Sequence, residues 1–481
     1  MRKIPKSPHI PRLAVICILI VLQVFLVLHV ERVHRAEEAR TIRIATPSTE
    51  AVRSSLSPYG PGFELELTRS LARNYGLKII WVPIKSWTQG WNLLRRGKAD
   101  ILIGPGLTPP SGADRIEDLA ASPTYAASSP VVVHPKNKYG LNDLTSLCSR
   151  RVLVQNIQKL PALLREVSDD ASCGKNMTVA HSLKMTKFLD HVESQDTRFG
   201  MADERLFSLW QPFYTSVRMT KRLEDKIFRR WYWRTDKREK LPLILEAFWM
   251  DQGRKLSAEL GALYFGFLPS RTDYYELYQL QEALQNLLPQ YSTAILKAAR
   301  ENRLDPLFLT AVIYQESRFD PFARSKTGVR GLMQISSITA DHLGIENRLD
   351  PIQSIFGGAG YLRDLYDQLD GFDLPVWDRW FAALGAYNQG MGHTRDAIRL
   401  AKREKLDHRR WRNIRKAFKQ LSWKRYYSKA RHGYARGYEA AHYVRNIRYF
   451  YYVLKGLSVL APDEFEDLAA LAGGVPAGWP D

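Results

Sequence analysis

AVIYQESRFDPFARSKTGVRGLMQIS, residues 311–336, is the stretch on which the reading of this chain turns. An apolar helical run ends on a carboxylate, Glu316, and the chain then passes Gly328 and Gly331 before a second apolar run that carries an amide, Gln334. A carboxyl at the apolar end of a helix is costly to ionise, so its pKa rises, and a carboxyl still protonated near neutral pH is what a general acid requires. The two glycines permit a tight backbone path beside an extended polymer, while Gln334 and the later Asn388 offer amides suited to sugar hydroxyl and N-acetyl groups. These residues describe a saccharide site.

Around this stretch the pattern is helical to about residue 460. Asp305-Pro306 and Asp350-Pro351 each start a helix, with aspartate as cap and proline in the first turn, and an amphipathic run over 379–387 stops where the glycines of NQGMG break it. Asp320, four residues after Glu316 and followed by Pro321, reads as a turn residue, so no second catalytic acid is evident. Towards the amino end the pattern changes. From Thr41, β-rich runs (IRIATP, LKIIWVPI, ADILIG) alternate with amphipathic helices, and after SSPVVVHP a second alternating set begins near Arg150. Alternation of this kind predicts an α/β unit with a largely parallel sheet in two lobes. The expected architecture is therefore α/β plus mainly α: a two-lobed module over 41–268, its second lobe at roughly 136–220, then an all-helical domain over 273–460. The tail, 461–481, is expected to be disordered.

Two resemblances sharpen this. GFELEL (62–67), GKADILIG (97–104), SPTY (122–125) and LYFGF (263–267) make the first module similar to the extracytoplasmic solute-binding proteins that bind amino acids. The resemblance implies a periplasmic-binding-protein-like fold, with an arginine holding a ligand carboxylate and a second-lobe acid holding its amine. Arg115 and Asp203 are the candidates, although GPGLTPPSGADR departs from the family by extra residues and two prolines before Arg115.

The helical domain resembles the lytic transglycosylases with a lysozyme-like (goose-type) fold. Glu316-Ser317 matches their Glu-Ser pair, 331–334 their GLMQ motif, Ala386-Tyr387-Asn388-Gln389-Gly390 their AYN-x-G motif and Tyr443 their late tyrosine. Ser325 falls where the family places an assisting serine. The run from Tyr426 to Phe450 resembles a membrane-bound subgroup that also carries an amino-terminal solute-binding-like module. The resemblance implies that Glu316 alone acts as acid and then base in cleaving the bond between N-acetylmuramic acid and N-acetylglucosamine. It places Ser325, Met333, Gln334, Tyr387, Asn388 and Tyr443 against the substrate. Two alternatives remain: a muramidase of the same fold that admits water, and a cell-wall sensor or scaffold whose enzyme domain is vestigial.

Residues 13–30 (LAVICILIVLQVFLVLHV) contain no formally charged side chain and follow Arg2, Lys3, Lys6 and Arg12 in the basic segment 1–12. Eighteen helical residues rise roughly 27 Å, enough to cross a hydrocarbon core, with the basic flank held on the cytoplasmic side. An uncleaved anchor, or else a signal sequence, is expected, placing the remainder in the periplasm and in contact with the wall. Cys148 and Cys173 are free to pair there, and pairing is left open.

A formal net charge of +20 favours an anionic partner. Thirteen Lys or Arg against two acids over 402–431 match a nucleic-acid surface in composition, but export removes that partner and leaves wall carboxylates or lipid headgroups. The expected partners are peptidoglycan glycan strands, the membrane, and a small amino acid or muropeptide on the first module. His432 and His442 lack ligand-type spacing, so neither metal nor cofactor is expected.

Overall fold

The computed structural model describes residues 40–480 and residue 23, apart from 49–53, 138–140, 142, 168–172, 174, 195–198, 237–239 and 326–327. The anchor expected at 13–30 lies, residue 23 aside, outside the described residues; among those described, no helix is long and apolar enough to cross a membrane.

The chain is α/β followed by mainly α, as expected. Its first sheet holds β1 (Thr41–Thr46), β2 (Lys78–Pro83), β3 (Ile101–Pro105), β4 (Leu119–Ala121) and β5 (Ala126–Ser128), with α1 (Phe63–Tyr75) among the helices flanking it. The second sheet, ordered β10-β6-β9-β7-β8, is built from β6 (Pro130–Pro135), β7 (Val152–Val154), β8 (Met177–Val179), β9 (Phe199–Asp203) and β10 (Val217–Arg222), and α2 (Glu204–Trp210) follows β9 directly. The chain then returns to the first sheet as β11 (Ile227–Arg234), antiparallel to β3, β4 and β5, and the module ends on α3 (Arg254–Phe265). Both sheets are thus mixed: β1 pairs in parallel with β2 and β3, whereas β6 pairs antiparallel with β9 and β10. The expectation of largely parallel sheets misses these returning strands, because only the long-range crossing at the lobe junction creates them. In the second lobe Cys148 and Cys173 are joined by a disulfide.

In the helical region α4 (Tyr274–Asn286) precedes the central helix, α5 (Pro306–Ser317). Every residue of α5 from Pro306 to Tyr314 is buried, which is why its sequence is apolar all round rather than on one face. The Asp305 carboxylate accepts from the backbone N–H groups of Leu307 and Phe308 at 2.6 and 3.2 Å, a cap of the kind that contributes about 1 kcal/mol. The same core takes in α6 (Pro351–Asp367), α7 (Val376–Gln389), α8 (Met391–Arg403), α9 (Trp411–Gln420) and α10 (Gly437–Leu460), of which α10 packs directly along α5.

The tail is not disordered. It forms α11 (Glu466–Ala472), buries Leu468 and Leu471, and brings Trp479 to 4.9 Å from Trp380 and 5.3 Å from Phe308, ring centre to ring centre. Its apolar residues cap the end of the helical core, where Trp479 also donates its indole N–H to Tyr451 at 3.1 Å.

The two modules share packed surface. Tyr59, from the turn before α1, is 1% exposed and sits among Trp377, Phe381 and Tyr451, donating its hydroxyl to the Arg448 carbonyl at 2.7 Å. Arg448 in turn donates to the carbonyls of Ala262 and Leu263, on α3, at 2.9 and 2.6 Å. Aromatic faces of Tyr59, Phe267 and Phe381 surround its guanidinium, which supplies cation–π stabilisation where water is excluded.

Candidate active site

Glu316 lies in the last turn of α5, where the helix leaves the core. Arg318 closes the helix in the left-handed region at φ 53°, and the Ser317 hydroxyl bonds back to the Ile313 carbonyl at 3.3 Å. The carboxyl faces a cavity of about 450 Å³ lined also by Ser325, Gln334, Tyr387, Asn388 and Tyr443. Burial pushes the Glu316 carboxyl from the ordinary carboxylate range up to about 7, and a hydrogen bond from Tyr443 pulls it back only in part. That bond is short, 2.5 Å from the Tyr443 hydroxyl, and joins residues 127 apart in sequence. Tyr443 is 5% exposed, and its own ionisation is pushed far upward by burial and by Glu316, so the phenol remains a donor.

The loop after α5 folds on itself. Asp320 accepts from the Phe322 N–H at 2.9 Å, as its turn reading requires. Isolated bridges link Arg324 to Arg330 and Arg330 to Ile335, and Arg348 donates to the carbonyls of Gly328 and Ile335. Gly331, at φ 81°, is needed for a different reason than an approaching polymer: a Cβ there would lie 1.9 Å from the Arg348 carbonyl oxygen. The tight approach is made by the protein's own backbone.

Two of the expected substrate contacts change role. Met333 is fully buried, and its side chain packs against Gly358. Only its main-chain carbonyl serves the site, accepting from Tyr387 at 2.8 Å. Gln334 adopts φ 48°, which turns its side chain back onto its own loop; its amide nitrogen donates to the carbonyls of Ala323 and Gly331 at 2.9 and 3.0 Å. What Gln334 has left for a ligand is its carbonyl oxygen. Asn388 is better placed, because its carbonyl oxygen accepts from Gln389 while its amide nitrogen has no protein partner among the described residues.

Sequence reasoning missed the contribution of the first turns of α10. Arg436, Glu439, His442 and Asn446 line the same cavity, and they share a helical stripe with Tyr443 that the i, i+3, i+4 rule makes visible once Tyr443 is placed. Glu439 adds a carboxylate to the cavity wall that the sequence reading did not consider; it pairs with Arg436 at 3.1 Å and is half exposed. Gln389 ends α7 and ties Asn388 to the Arg436 N–H, which it accepts at 3.1 Å.

In the first module the expected pair sits in unlike surroundings, Arg115 exposed and Asp203 buried. Arg115 follows an exposed 3-10 turn, and among the described residues no hydrogen bond or ion pair joins it to Asp203. Asp203 is fully buried; it caps α2, accepts from Ser128, and has its nearest cation in Arg229 of β11 at 3.8 Å. A carboxylate committed to those partners is structural rather than open to a ligand amine.

Residues 293–409 match the family model of the Transglycosylase SLT domain, a span that includes Glu316, Gln334 and Asn388. Over most of its length the chain is 31% identical to a membrane-bound lytic murein transglycosylase F of Ectopseudomonas mendocina, covering 86% of this chain and 84% of that one. The chain belongs to the membrane-bound lytic murein transglycosylase F family. The family relative from Vibrio cholerae is 32% identical, with 87% and 81% of the two chains covered. Solved structures similar to the amino-terminal half include an ArgBP mutant from T. maritima, at 15% identity and TM-score 0.38 over 48% of this chain and 98% of that one. The VFT2 domain of BvgS from Bordetella pertussis gives 14% identity and the same TM-score over 49% and 97%.

Proposed function

We propose that this member of the family cleaves the glycan strands of peptidoglycan without water, using Glu316 as its one catalytic carboxyl. The enzyme class, a lyase acting on peptidoglycan, follows from family membership and the SLT domain. The observation that carries the mechanism is Glu316 itself: a carboxyl near pH 7 in its ionisation, facing a cavity wide enough for a sugar and held by one phenol. Protonated, it donates its proton to the glycosidic oxygen between N-acetylmuramic acid and N-acetylglucosamine, and the C1–O bond breaks. As carboxylate it then takes the proton from the muramoyl 6-hydroxyl, whose oxygen closes on C1 to give a 1,6-anhydro end. Glu316 is thereby reprotonated and ready for another cycle. Tyr443 positions the carboxyl, and the Asn388 amide is available to the N-acetyl group, which shields the positive charge developing at C1.

Glu439 gives a second reading some footing, since a base in the same cavity is what a water-activating muramidase would need. Its ion pair with Arg436 and its exposure favour a surface role. We further propose that residues 13–30 tether the protein so that both modules face the periplasm, and that the first module, fused to the enzyme and packed against it through Tyr59 and Arg448, has a regulatory role.

Mass spectrometry of fragments released from purified peptidoglycan tests the mechanism. Wild type and Glu439→Gln are expected to leave anhydro ends, and Glu316→Gln none. Reducing ends that vanish with Glu439→Gln would establish the muramidase instead.

A further inference from the structure

Beside the Glu316 cavity lies a second one of about 280 Å³, and the two share Gln315 and Asn446 as lining residues. They are neighbours along one stripe of α10, which runs from Tyr443 through Asn446 to Tyr449. Six residues of helix separate Tyr443 from Tyr449, a rise of about 9 Å.

The second cavity sets the guanidinium groups of Arg271, Arg318 and Arg445 among the rings of Tyr314, Tyr449 and Phe450. Arg271 comes from the link between the modules and Arg445 from α10, and among the described residues neither has an acidic partner. Arg445 is set instead near Arg415, Lys419 and His442, so its surroundings favour an incoming negative charge. The Tyr449 hydroxyl is buried at the same place without a hydrogen-bond partner among the described residues. The two acids of the wall are already engaged: Glu276 pairs with Arg318 at 2.5 Å, and Asp273 caps α4 by accepting from the N–H groups of Tyr275 and Glu276.

We infer that this second cavity is a subsite for the stem peptide of the substrate, with Arg445 and Arg271 holding its carboxylates. The inference rests on the peptidoglycan reading above. The stem hangs from the muramoyl residue through its lactyl group, close to the bond that Glu316 cleaves. An extended peptide covers about 3.5 Å per residue, so its second or third residue reaches a point about 9 Å away. Those residues carry the stem's free carboxylates, and guanidinium groups hold carboxylates by paired, charge-assisted hydrogen bonds. Denuded glycan presents nothing to these groups.

The test compares two substrates with the full-length protein: glycan strands bearing stems, and the same strands after an amidase has removed them. Wild type is expected to show kcat/KM about tenfold higher on stem-bearing strands, with the difference mainly in KM. Arg445→Ala and Arg271→Ala should each move that ratio toward one, and Arg445→Lys should restore part of it. Arg271 is exposed on the inter-module link, so its variant keeps the test open should Arg445→Ala fail to fold. Equal rates on the two substrates for wild type, or a ratio unmoved in both alanine variants, would overturn the subsite while leaving the transglycosylase in place. No cleavage of either substrate by wild type would overturn both.

Discussion

Replacing Glu316 by glutamine should do more than stop the reaction; it should stabilise the protein, and by an amount that depends on pH. Burial raises the carboxyl from 4.5 to about 7, so the folded protein holds this proton more tightly than the unfolded chain does. Below about pH 4.5 the group is protonated in both states and contributes no penalty. As pH rises through that value to about 7 the unfolded chain releases the proton first, and stability is progressively lost. The full shift corresponds to about 3 kcal/mol, which the solvent-open side of the cavity reduces to about 2 kcal/mol. Glutamine has the same shape, carries no charge, and can still accept the Tyr443 hydroxyl. Urea titrations of both proteins, followed by tryptophan fluorescence, should coincide at about pH 4 and diverge to about 2 kcal/mol in favour of Glu316→Gln at about pH 8. A gap independent of pH, or a variant less stable at the alkaline end, would refute the claim that this carboxyl is desolvated.

Other perturbations have equally definite outcomes. Tyr443→Phe removes the one hydrogen bond that lowers the Glu316 pKa, so the alkaline limb of its pH–rate profile should move upward from about 7 while the maximal rate falls. Gly331→Ala places a methyl group 1.9 Å from the Arg348 carbonyl at a left-handed φ, and should destabilise the helical domain by about 3 kcal/mol or more in a thermal melt. Reducing the Cys148–Cys173 bond, which spans 25 residues, should cost the second lobe about 3 kcal/mol, read as faster amide exchange confined to that lobe. Tyr59→Ala empties a fully enclosed aromatic site between the modules, and its loss of about 3–5 kcal/mol should split one unfolding transition into two.

How much of the structure is legible in the sequence depends on how local the cause is. The Asp305-Pro306 and Asp350-Pro351 helix starts are readable because a cap and the N–H groups it accepts from lie within three residues. The raised Glu316 carboxyl is readable because the apolar run before it forms one buried helix. Which way a motif's side chains point is not. In GLMQ, Met333 turns into the core, and a left-handed backbone at Gln334 commits its amide nitrogen to the loop, leaving only its carbonyl oxygen to the cavity. Asp203 misleads because its partner, Arg229, arrives only when β11 crosses back between the lobes. The tail is too short to fold alone, yet it needs no core of its own, since Trp380 and Phe308 already form the surface that Trp479 packs against. Arg436, Glu439 and Asn446 carry no motif; they are recoverable only from their spacing along α10 relative to Tyr443.

In the proposed mechanism the new chain end is closed by the sugar's own 6-hydroxyl, while Glu316 passes one proton out and takes one back. Running the cleavage in water enriched in heavy oxygen tests this most directly, with the released ends analysed by mass. Anhydro ends carrying no label are expected from wild type, and none from Glu316→Gln. Labelled reducing ends would contradict the mechanism, because they would show that water, and not the substrate, attacks C1.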